Sequence, residues 1–126
     1  MSRSVLIVDD EQHIRLLIEQ ALEDLTDEGV ELYTASDGDE ALDVIRAQRP
    51  DLVFLDVMMP RRNGLDVCRA VRSELGMSDP HIVLLTAKGQ ADDRQAGIVA
   101  GANRYLTKPF DPDELMTIAR EVLGEA

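Results

Sequence analysis

The sequence predicts a doubly wound α/β fold: a five-stranded parallel sheet in the order 2-1-3-4-5 with helices on both faces. Strand and helix patterns alternate along the chain, and strict alternation is typical of a parallel sheet covered by helices. Three strand patterns are continuously apolar, as strands buried on both faces must be, whereas the other two are more polar. Three central and two edge strands fit this order when the crossovers are right-handed.

The five predicted strands are short. Residues 5–8, 52–55 and 82–85 are unbroken apolar runs, which places them at the centre of the sheet. Residues 30–35 alternate between polar and apolar side chains, which predicts an edge strand with one exposed face. Residues 104–106 form a short polar run and take the opposite edge.

Apolar residues at three- and four-residue spacing mark the first and last helices. The first stripe consists of Ile14, Leu17, Ile18, Ala21, Leu22 and Leu25, and the last of Leu115, Ile118, Ala119, Val122 and Leu123. Asp111, Pro112 and Glu114 supply a cap, a first-turn proline and a capping-box acid for the last helix.

The three intervening helices have weaker signals. Asp37 and Glu40 predict a cap for the second helix, and the third is expected to begin after Asn63 and Gly64. The fourth, over residues 90–100, is rich in alanine and glycine and has only a faint apolar stripe. A faint stripe suits a helix that can move against the sheet.

Composition limits the class of protein. The 126 residues suffice for one domain, 1–126, and 44% of them are hydrophobic, so the chain is expected to fold. The formal net charge of -12 argues against non-specific binding to nucleic acid or to an anionic membrane. No apolar run approaches the roughly 20 residues of a membrane span. Cys68 is the one cysteine, and a reduced cytoplasmic setting is expected.

Chemically active side chains occur where the predicted strands end. Asp9 and Asp10 follow the first strand. Asp56 follows the third strand, Thr86 the fourth and Lys108 the fifth. The carboxyl ends of parallel strands share one edge of a sheet, where ligands bind at the switch point between strands 1 and 3. These residues are therefore predicted to meet at one site.

The chemistry of this site follows from its charges. Three carboxylates in one crevice repel one another unless protons or a cation neutralise them. An all-oxygen cluster favours a hard divalent ion, and Mg²⁺ is the best candidate, held by the three carboxylates and the backbone carbonyl of Met58. Mg²⁺ and the Lys108 ammonium would offset the charge of an incoming phosphoryl group, to which Thr86 would donate a hydrogen bond. The Asp56 carboxylate is then a candidate nucleophile, and its product is an aspartyl phosphate.

Most of these residues also have a purely structural interpretation. One of Asp9 and Asp10 is expected to help cap the first helix. Thr86 alone would be an ordinary helix-start residue, and Lys108 alone a solvated surface lysine. Asp56 favours function by itself, because a buried charge at a strand end is costly without a partner. The joint placement on one edge is what favours a functional site.

With these residues the chain resembles the response-regulator receiver domains of two-component signalling, which have a flavodoxin- or CheY-like fold. The resemblance covers residues 4–124. Its motifs are Val-Asp-Asp-Glu at 8–11, Asp-Val-Met-Met-Pro at 56–60, Thr-Ala at 86–87 and Lys-Pro at 108–109.

The resemblance implies a role for each site residue. Asp56 takes a phosphoryl group from a phosphohistidine on a sensor histidine kinase or phosphotransfer protein, and the acids after the first strand hold Mg²⁺. Thr86 and Tyr105 form a switch pair, in which the hydroxyl moves toward the phosphoryl group and the ring turns inward. Lys108 pairs with the phosphoryl group, and its bond to Pro109 is often cis.

The resemblance also implies an output surface formed by the fourth helix, fifth strand and fifth helix, which would bind a downstream protein or control an output domain. Met58 and Lys88 occupy positions that influence hydrolysis of the phosphate in this family. Neither side chain can position an attacking water, so slow dephosphorylation is expected. The chain would then be a signalling domain that promotes its own phosphorylation, and not an enzyme.

Three alternatives are weighed against this interpretation. An aspartate-nucleophile phosphohydrolase needs a second acid two residues after the nucleophile, where Met58 stands. A flavin-binding module needs a hydroxyl- and glycine-rich loop after the first strand, where the sequence is acidic. A degenerate receiver would bind its partner without phosphate, against which the complete acidic site argues. The chain is expected to be either a stand-alone receiver or part of a larger regulator, and its sequence names neither output nor kinase.

Overall fold

The computed structural model describes residues 3–59, 61–87 and 91–124, without the side chains of residues 91–95. The strands are β1 (Ser4–Val8), β2 (Glu31–Ala35), β3 (Leu52–Asp56), β4 (His81–Ala87) and β5 (Arg104–Lys108). The helices are α1 (Gln12–Ala21), α2 (Glu23–Asp27), α3 (Gly38–Gln48), α4 (Gly64–Arg69), α5 (Ala91–Ala100) and α6 (Pro112–Leu123). A π-helical segment, Ala70–Glu74, continues α4.

The sheet is entirely parallel and has the predicted order, β2-β1-β3-β4-β5. The three central strands are largely buried, whereas β2 and β5 at the edges carry exposed and half-buried residues. Since β1 and β3 are neighbours although β2 separates them in sequence, the switch point lies between their carboxyl ends. The fold therefore opens a crevice beside the acids that follow these two strands.

Alternate side chains of the strands pack into two apolar layers, one on each face of the sheet. The layer beneath α3, α4 and α5 includes Leu6, Ile45, Val53, Val67, Leu84 and Ala100. The layer beneath α1, α2 and α6 includes Ile7, Ile18, Leu25, Phe54, Leu85 and Leu115. Burial on both sides explains why the central strands are continuously apolar in the sequence.

Side-chain caps fix the starts of α3 and α4, close to where the sequence predicted these helices to begin. The carboxylate of Asp37 accepts a hydrogen bond from the Glu40 N–H at 2.8 Å, at the start of α3. The amide oxygen of Asn63 accepts one from the Asp66 N–H at 2.9 Å, at the start of α4. These caps satisfy N–H groups that have no partner within the helix itself.

Two helices differ from the predicted pattern. The first is divided at Leu22 into α1 and α2. The third widens into the π-helical segment, where the Leu75 N–H donates to the carbonyl of Ala70, five residues back, at 2.9 Å. Both differences are local changes in backbone hydrogen bonding. They hardly alter the apolar stripes that predict these helices.

The weakly predicted fourth helix is present as α5. Ile98 and Val99 are 63% and 78% exposed, so two of its largest apolar side chains face mostly solvent. Gly97 brings the helix close to β4, since a Cβ at this position would lie 2.5 Å from Leu84 Cδ1. A close approach through glycine explains why the apolar stripe is faint. Within the described residues, no helix is both long and apolar enough to cross a bilayer.

The capping box of α6 allows a first test of the structure. Asp111 Oδ1 accepts a hydrogen bond from the Asp113 N–H at 2.9 Å, and Glu114 Oε1 accepts one from the Asp111 N–H at 3.4 Å. Asp111→Ala is expected to lower the free energy of unfolding by about 1 kcal/mol in urea denaturation, because it leaves helix-start N–H groups without their acceptor. Asp113→Ala removes an exposed acid from the same turn and should cost no more than about half as much. Equal losses would contradict a capping role.

Candidate functional site

Three aspartates meet in the crevice between β1 and β3. Asp9 and Asp10 follow β1, and Asp56 is the last residue of β3. One carboxylate oxygen from each residue lies within 4.8 Å of the other two. Asp9 and Asp56 are buried and Asp10 is exposed, so the cluster is open to solvent on the Asp10 side. The structure thus brings together acids that the sequence placed on one edge.

Lys108, the last residue of β5, reaches across the carboxyl ends of the strands to these acids. Its Nζ donates a hydrogen bond to Asp9 Oδ2 at 2.9 Å and lies 3.4 Å from Asp56 Oδ1. Burial lowers the pKa of the ammonium, but the hydrogen bond to Asp9 and the charges of both carboxylates outweigh burial, and the net shift is upward. The bond from Lys108 to Pro109 is cis. Lys108 is therefore a charged group placed between two of the acids.

Asp56 has an unusual protonation equilibrium. Burial, and then the Asp9 carboxylate, raise the pKa of its carboxyl to about 7, against the opposing effects of the Lys108 ammonium and the Met58 N–H. The Met58 N–H donates to Asp56 Oδ1 at 3.2 Å. Among the described residues, both donors that approach Asp56 reach Oδ1, which leaves Oδ2 available for a reaction.

The donor set fits a hard divalent cation. Three carboxylates face one ammonium, so the formal charges of the cluster leave an excess of negative charge that a divalent cation would offset. The three carboxylate oxygens lie within 4.8 Å of one another, and carboxylate oxygens are ligands that Mg²⁺ prefers in proteins. Asp9, Asp10 and Asp56 would hold the ion. The Met58 carbonyl, in the turn directly after β3, would supply a further oxygen.

The predicted switch pair lies on the β4–β5 side of the crevice. Thr86 is buried, and its hydroxyl donates to the Leu106 carbonyl of β5 at 3.4 Å, a long and therefore weak hydrogen bond. Tyr105 is half-buried, packs against the apolar layer beneath α5, and lines a cavity of about 130 Å³ between β4, β5 and α5. The weak hydrogen bond of Thr86 and the cavity beside Tyr105 are compatible with the predicted switch, in which the Thr86 hydroxyl moves and the Tyr105 ring turns inward. This movement stays a prediction.

Arg15 belongs to the site, although no sequence pattern predicted its role there. Its Nη1 donates to the backbone carbonyl of Asp9 at 2.6 Å, which fixes the acidic turn from the α1 side. On the same turn the Glu11 N–H donates to Asp9 Oδ1 at 2.9 Å. The N-cap residue of α1 is Glu11, and no side chain among the described residues accepts a hydrogen bond from the start of the helix, so the prediction that Asp9 or Asp10 caps α1 is wrong. A single arginine beside the apolar stripe of an amphipathic helix matches no recognisable motif. Its position in the first turn of α1, close to the acidic turn, is the one sequence feature that indicates its contact with the Asp9 carbonyl.

Gly64 lets α4 begin directly against the carboxyl end of β3. A Cβ at Gly64 would lie 2.4 Å from the carbonyl oxygen of Asp56, closer than any real contact. The Gly64 N–H also donates to the Val57 carbonyl at 2.9 Å. Glycine at this position is therefore required for the packing that supports the Asp56 backbone.

The sequence and the fold of this chain are similar to those of known proteins. The profile of the response regulator receiver domain family matches residues 5–120. Two relatives named probable transcriptional regulator ycf27, from Porphyra purpurea and Guillardia theta, are 47% and 45% identical over 97% and 94% of this chain. The matched parts are 48% and 44% of those relatives, so this chain spans about half the length of the relatives it matches.

Solved structures with the same fold include two response regulators. The chemotaxis response regulator CheY4 of Vibrio cholerae gives a TM-score of 0.84 at 34% identity, covering 97% of this chain and 99% of that one. The receiver domain of NtrX from Brucella abortus gives 0.82 at 33% identity, with 97% and 99% coverage. The CheY-like fold predicted from the sequence is confirmed.

Proposed function

Because this chain belongs to the response regulator receiver domain family of two-component signalling, we propose that Asp56 accepts a phosphoryl group from a phosphohistidine donor. The donor would be a sensor histidine kinase or a phosphotransfer protein. The observation that carries the proposal is the meeting of Asp56 with two further aspartates and Lys108 at one edge of the sheet. An Asp56 oxygen bonds to phosphorus as the phosphorus–nitrogen bond breaks, and the leaving imidazole takes up a proton.

The surrounding residues have separate tasks in this transfer. Asp9 and Asp10, with Asp56 and the Met58 carbonyl, would hold Mg²⁺, which when bound offsets the negative charge on the phosphoryl oxygens. The Lys108 ammonium lies 3.4 Å from Asp56 Oδ1 and would pair with a phosphoryl oxygen on that side. Arg15 holds the backbone of the acidic turn in place.

Phosphorylation would then act on the switch pair. It adds nearly two negative charges and three acceptor oxygens at Asp56. Thr86 would exchange its 3.4 Å bond to the Leu106 carbonyl for a stronger bond to a phosphoryl oxygen, and Tyr105 would turn into the space vacated. The surface formed by α5, β5 and α6 would change as a result and bind the downstream partner. The exposed Ile98 and Val99 on α5 support an apolar contact on this surface.

The output of the chain is part of the proposal. The ycf27 relatives are named transcriptional regulators and are about twice as long as the part they share with this chain. We therefore propose that residues 1–126 form a single receiver domain. This domain acts either as a stand-alone receiver or as the part of a larger cytoplasmic regulator that controls an output domain. The net charge of -12 supports an indirect role, in which this domain itself does not bind nucleic acid or membrane.

The phosphate is expected to be long-lived and not to be turned over as in a phosphohydrolase. Met58, two residues after Asp56, has no carboxyl group to act as a general acid or to position water. Its side chain is 61% exposed at the mouth of the site. Lys88, the other position from which slow dephosphorylation was predicted, lies outside the described residues.

Acetyl phosphate provides the direct test. With Mg²⁺, intact-mass measurement should show a gain of one phosphoryl group, which should be absent without Mg²⁺ and lost entirely in Asp56→Asn. Asp66→Asn removes an exposed acid from α4 and should leave the gain unchanged. No gain with any donor would favour a degenerate receiver, and repeated turnover of a phosphate ester would favour the phosphohydrolase.

A further inference from the structure

Arg72, in the π-helical segment, joins two connections at the edge of the sheet opposite the acidic site. One connection leads from this segment to β4, and the other leads from α5 to β5. Its guanidinium donates to the carbonyls of Gly101 (3.0 Å), Met77 (3.2 Å), Ser78 (2.9 Å) and Pro80 (2.8 Å) and to Asn103 Oδ1 (2.8 Å). A guanidinium has five N–H groups, so all of them are used.

The bonds of Arg72 serve geometry and not charge pairing. All five acceptors are neutral oxygens, and none of the ion pairs found in the described part of the chain includes Arg72. A planar fork that bonds oxygens from two connections fixes their relative position, which a single flexible ammonium could not do.

The same contacts hold the carboxyl end of α5. Gly101 has a φ of +102°, and a Cβ there would lie 2.7 Å from Arg72 Cγ, so the turn after α5 closes directly over the arginine stem. The Cys68 thiol donates to the Ala100 carbonyl at 3.4 Å. Asn103 Oδ1 accepts from Arg72 and also from the Ile82 N–H at 2.8 Å, which ties the connection to β4.

We propose that Arg72 is a positioning residue for the switch: it fixes the α5–β5 connection, so that the rearrangement after phosphorylation is confined to Tyr105 and to the part of α5 before Gly97. The inference rests on the proposed function. Tyr105 follows Asn103 by two residues, and both line the cavity of about 130 Å³ beneath α5. Because the α5–β5 connection fixes one end of this cavity, the Tyr105 ring can turn inward only by displacing the part of α5 before Gly97, which is the part nearer to Thr86 and the acidic site. Without Arg72, the connection itself would yield.

Amide hydrogen exchange, followed by NMR with and without acetyl phosphate and Mg²⁺, tests the inference. The reporters are the hydrogen-bonded N–H groups of Gly101 (3.1 Å to the Gly97 carbonyl), Ala102 (2.9 Å to the same carbonyl) and Asn103 (2.9 Å to Ile82). In the wild type their exchange rates should change less than about twofold on phosphorylation, whereas in Arg72→Met they should rise at least about tenfold. A loss of general stability would raise the rates in both states alike, so the phosphorylation-dependent difference reports positioning.

Arg69→Met is the matched control, because Arg69 is exposed and pairs only with Asp66 among the described residues, at 3.2 Å. It should behave as the wild type. If Arg72→Met does not fold, Arg72→Lys, which keeps the charge but not the fork, should show the same rise to a smaller degree. The inference would be overturned if the Arg72 variants showed the same exchange rates as Arg69→Met. It would also be overturned if the exchange rates of the reporter amides changed tenfold on phosphorylation of the wild type. The mass gain is read in the same samples: its absence contradicts the proposed function and this inference together, and its presence isolates the result for Arg72.

Discussion

Asp56→Asn is expected to stabilise the metal-free protein at pH 8 by about 3 kcal/mol, although it removes the proposed phosphoacceptor. The buried Asp56 carboxylate faces Asp9, and burial followed by that charge raises the pKa of Asp56 to about 7. A neutral amide of nearly the same shape avoids both costs. It loses only the 3.4 Å attraction to the Lys108 ammonium.

The pH dependence of this gain follows from linkage. The Asp56 carboxyl has a pKa of 3.8 as its ordinary value and about 7 in the folded protein. Between these values the folded state keeps a proton that the unfolded state has released, so this group's contribution to stability falls as pH rises from about 4 to 7. The difference between Asp56→Asn and the wild type should therefore be small near pH 4, grow toward pH 7 and then level off.

Urea denaturation in EDTA across this pH range measures the difference. Asp43→Asn, which removes an exposed acid on α3, is the control and should stay within about 0.5 kcal/mol of the wild type at every pH. The charge argument would be contradicted if the difference in free energy of unfolding between Asp56→Asn and the wild type did not vary with pH. A variant less stable than the wild type at pH 8 would contradict it as well.

Mg²⁺ should reduce the difference in stability between Asp56→Asn and the wild type. A ligand that binds only the folded state stabilises it by about 2.7 kcal/mol at a concentration one hundred times its dissociation constant. The wild type offers three carboxylates to the ion and Asp56→Asn offers two. Saturating Mg²⁺ should therefore narrow or close the gap at pH 8, and EDTA should restore it.

The sheet could be predicted because burial on two faces leaves a plain mark on the sequence. An apolar run such as Leu52, Val53 and Phe54 is typical of a strand buried on both faces, and topology then places the acids at the ends of β1 and β3 on one edge. The ends of strands were less visible. β5 continues to Lys108 because its backbone pairs with β4 as far as Ala87, and backbone pairing has no side-chain signature.

The residues that were not predicted act through single long-range contacts. Arg15 bonds a backbone carbonyl of the acidic turn, and Arg72 bonds carbonyls of two connections up to 29 residues away. Neither contact alters the apolar periodicity of its helix. The sequence also indicated that the acids repel one another, but the burial that raises the pKa of Asp56 is visible only in the structure.

Lys108→Met is expected to lower the free energy of unfolding of the metal-free protein by about 4 kcal/mol at pH 8. The Asp9 side chain is fully buried, and its Oδ2 accepts a 2.9 Å hydrogen bond from the Lys108 ammonium. A methionine of similar length leaves that carboxylate buried without its cation, close to the carboxylate of Asp56. In Arg46→Met an exposed ion pair is lost, and the cost should stay below about 1 kcal/mol.

The reason for this cost can be isolated with a double-mutant cycle. If repulsion between the two buried carboxylates is responsible, Lys108→Met should cost markedly less in the Asp56→Asn background, because one of the charges is gone. If the Lys108→Met variant folds in the presence of Mg²⁺, its rate of phosphorylation by acetyl phosphate can be measured. This rate should be at least about 100-fold lower than in the wild type, because the phosphoryl oxygens lose a fixed positive charge. Equal costs of Lys108→Met in both backgrounds would show that repulsion between Asp9 and Asp56 does not contribute, and would assign the cost to the lost ion pair with Asp9. Uptake at the wild-type rate would remove Lys108 from the phosphoryl site.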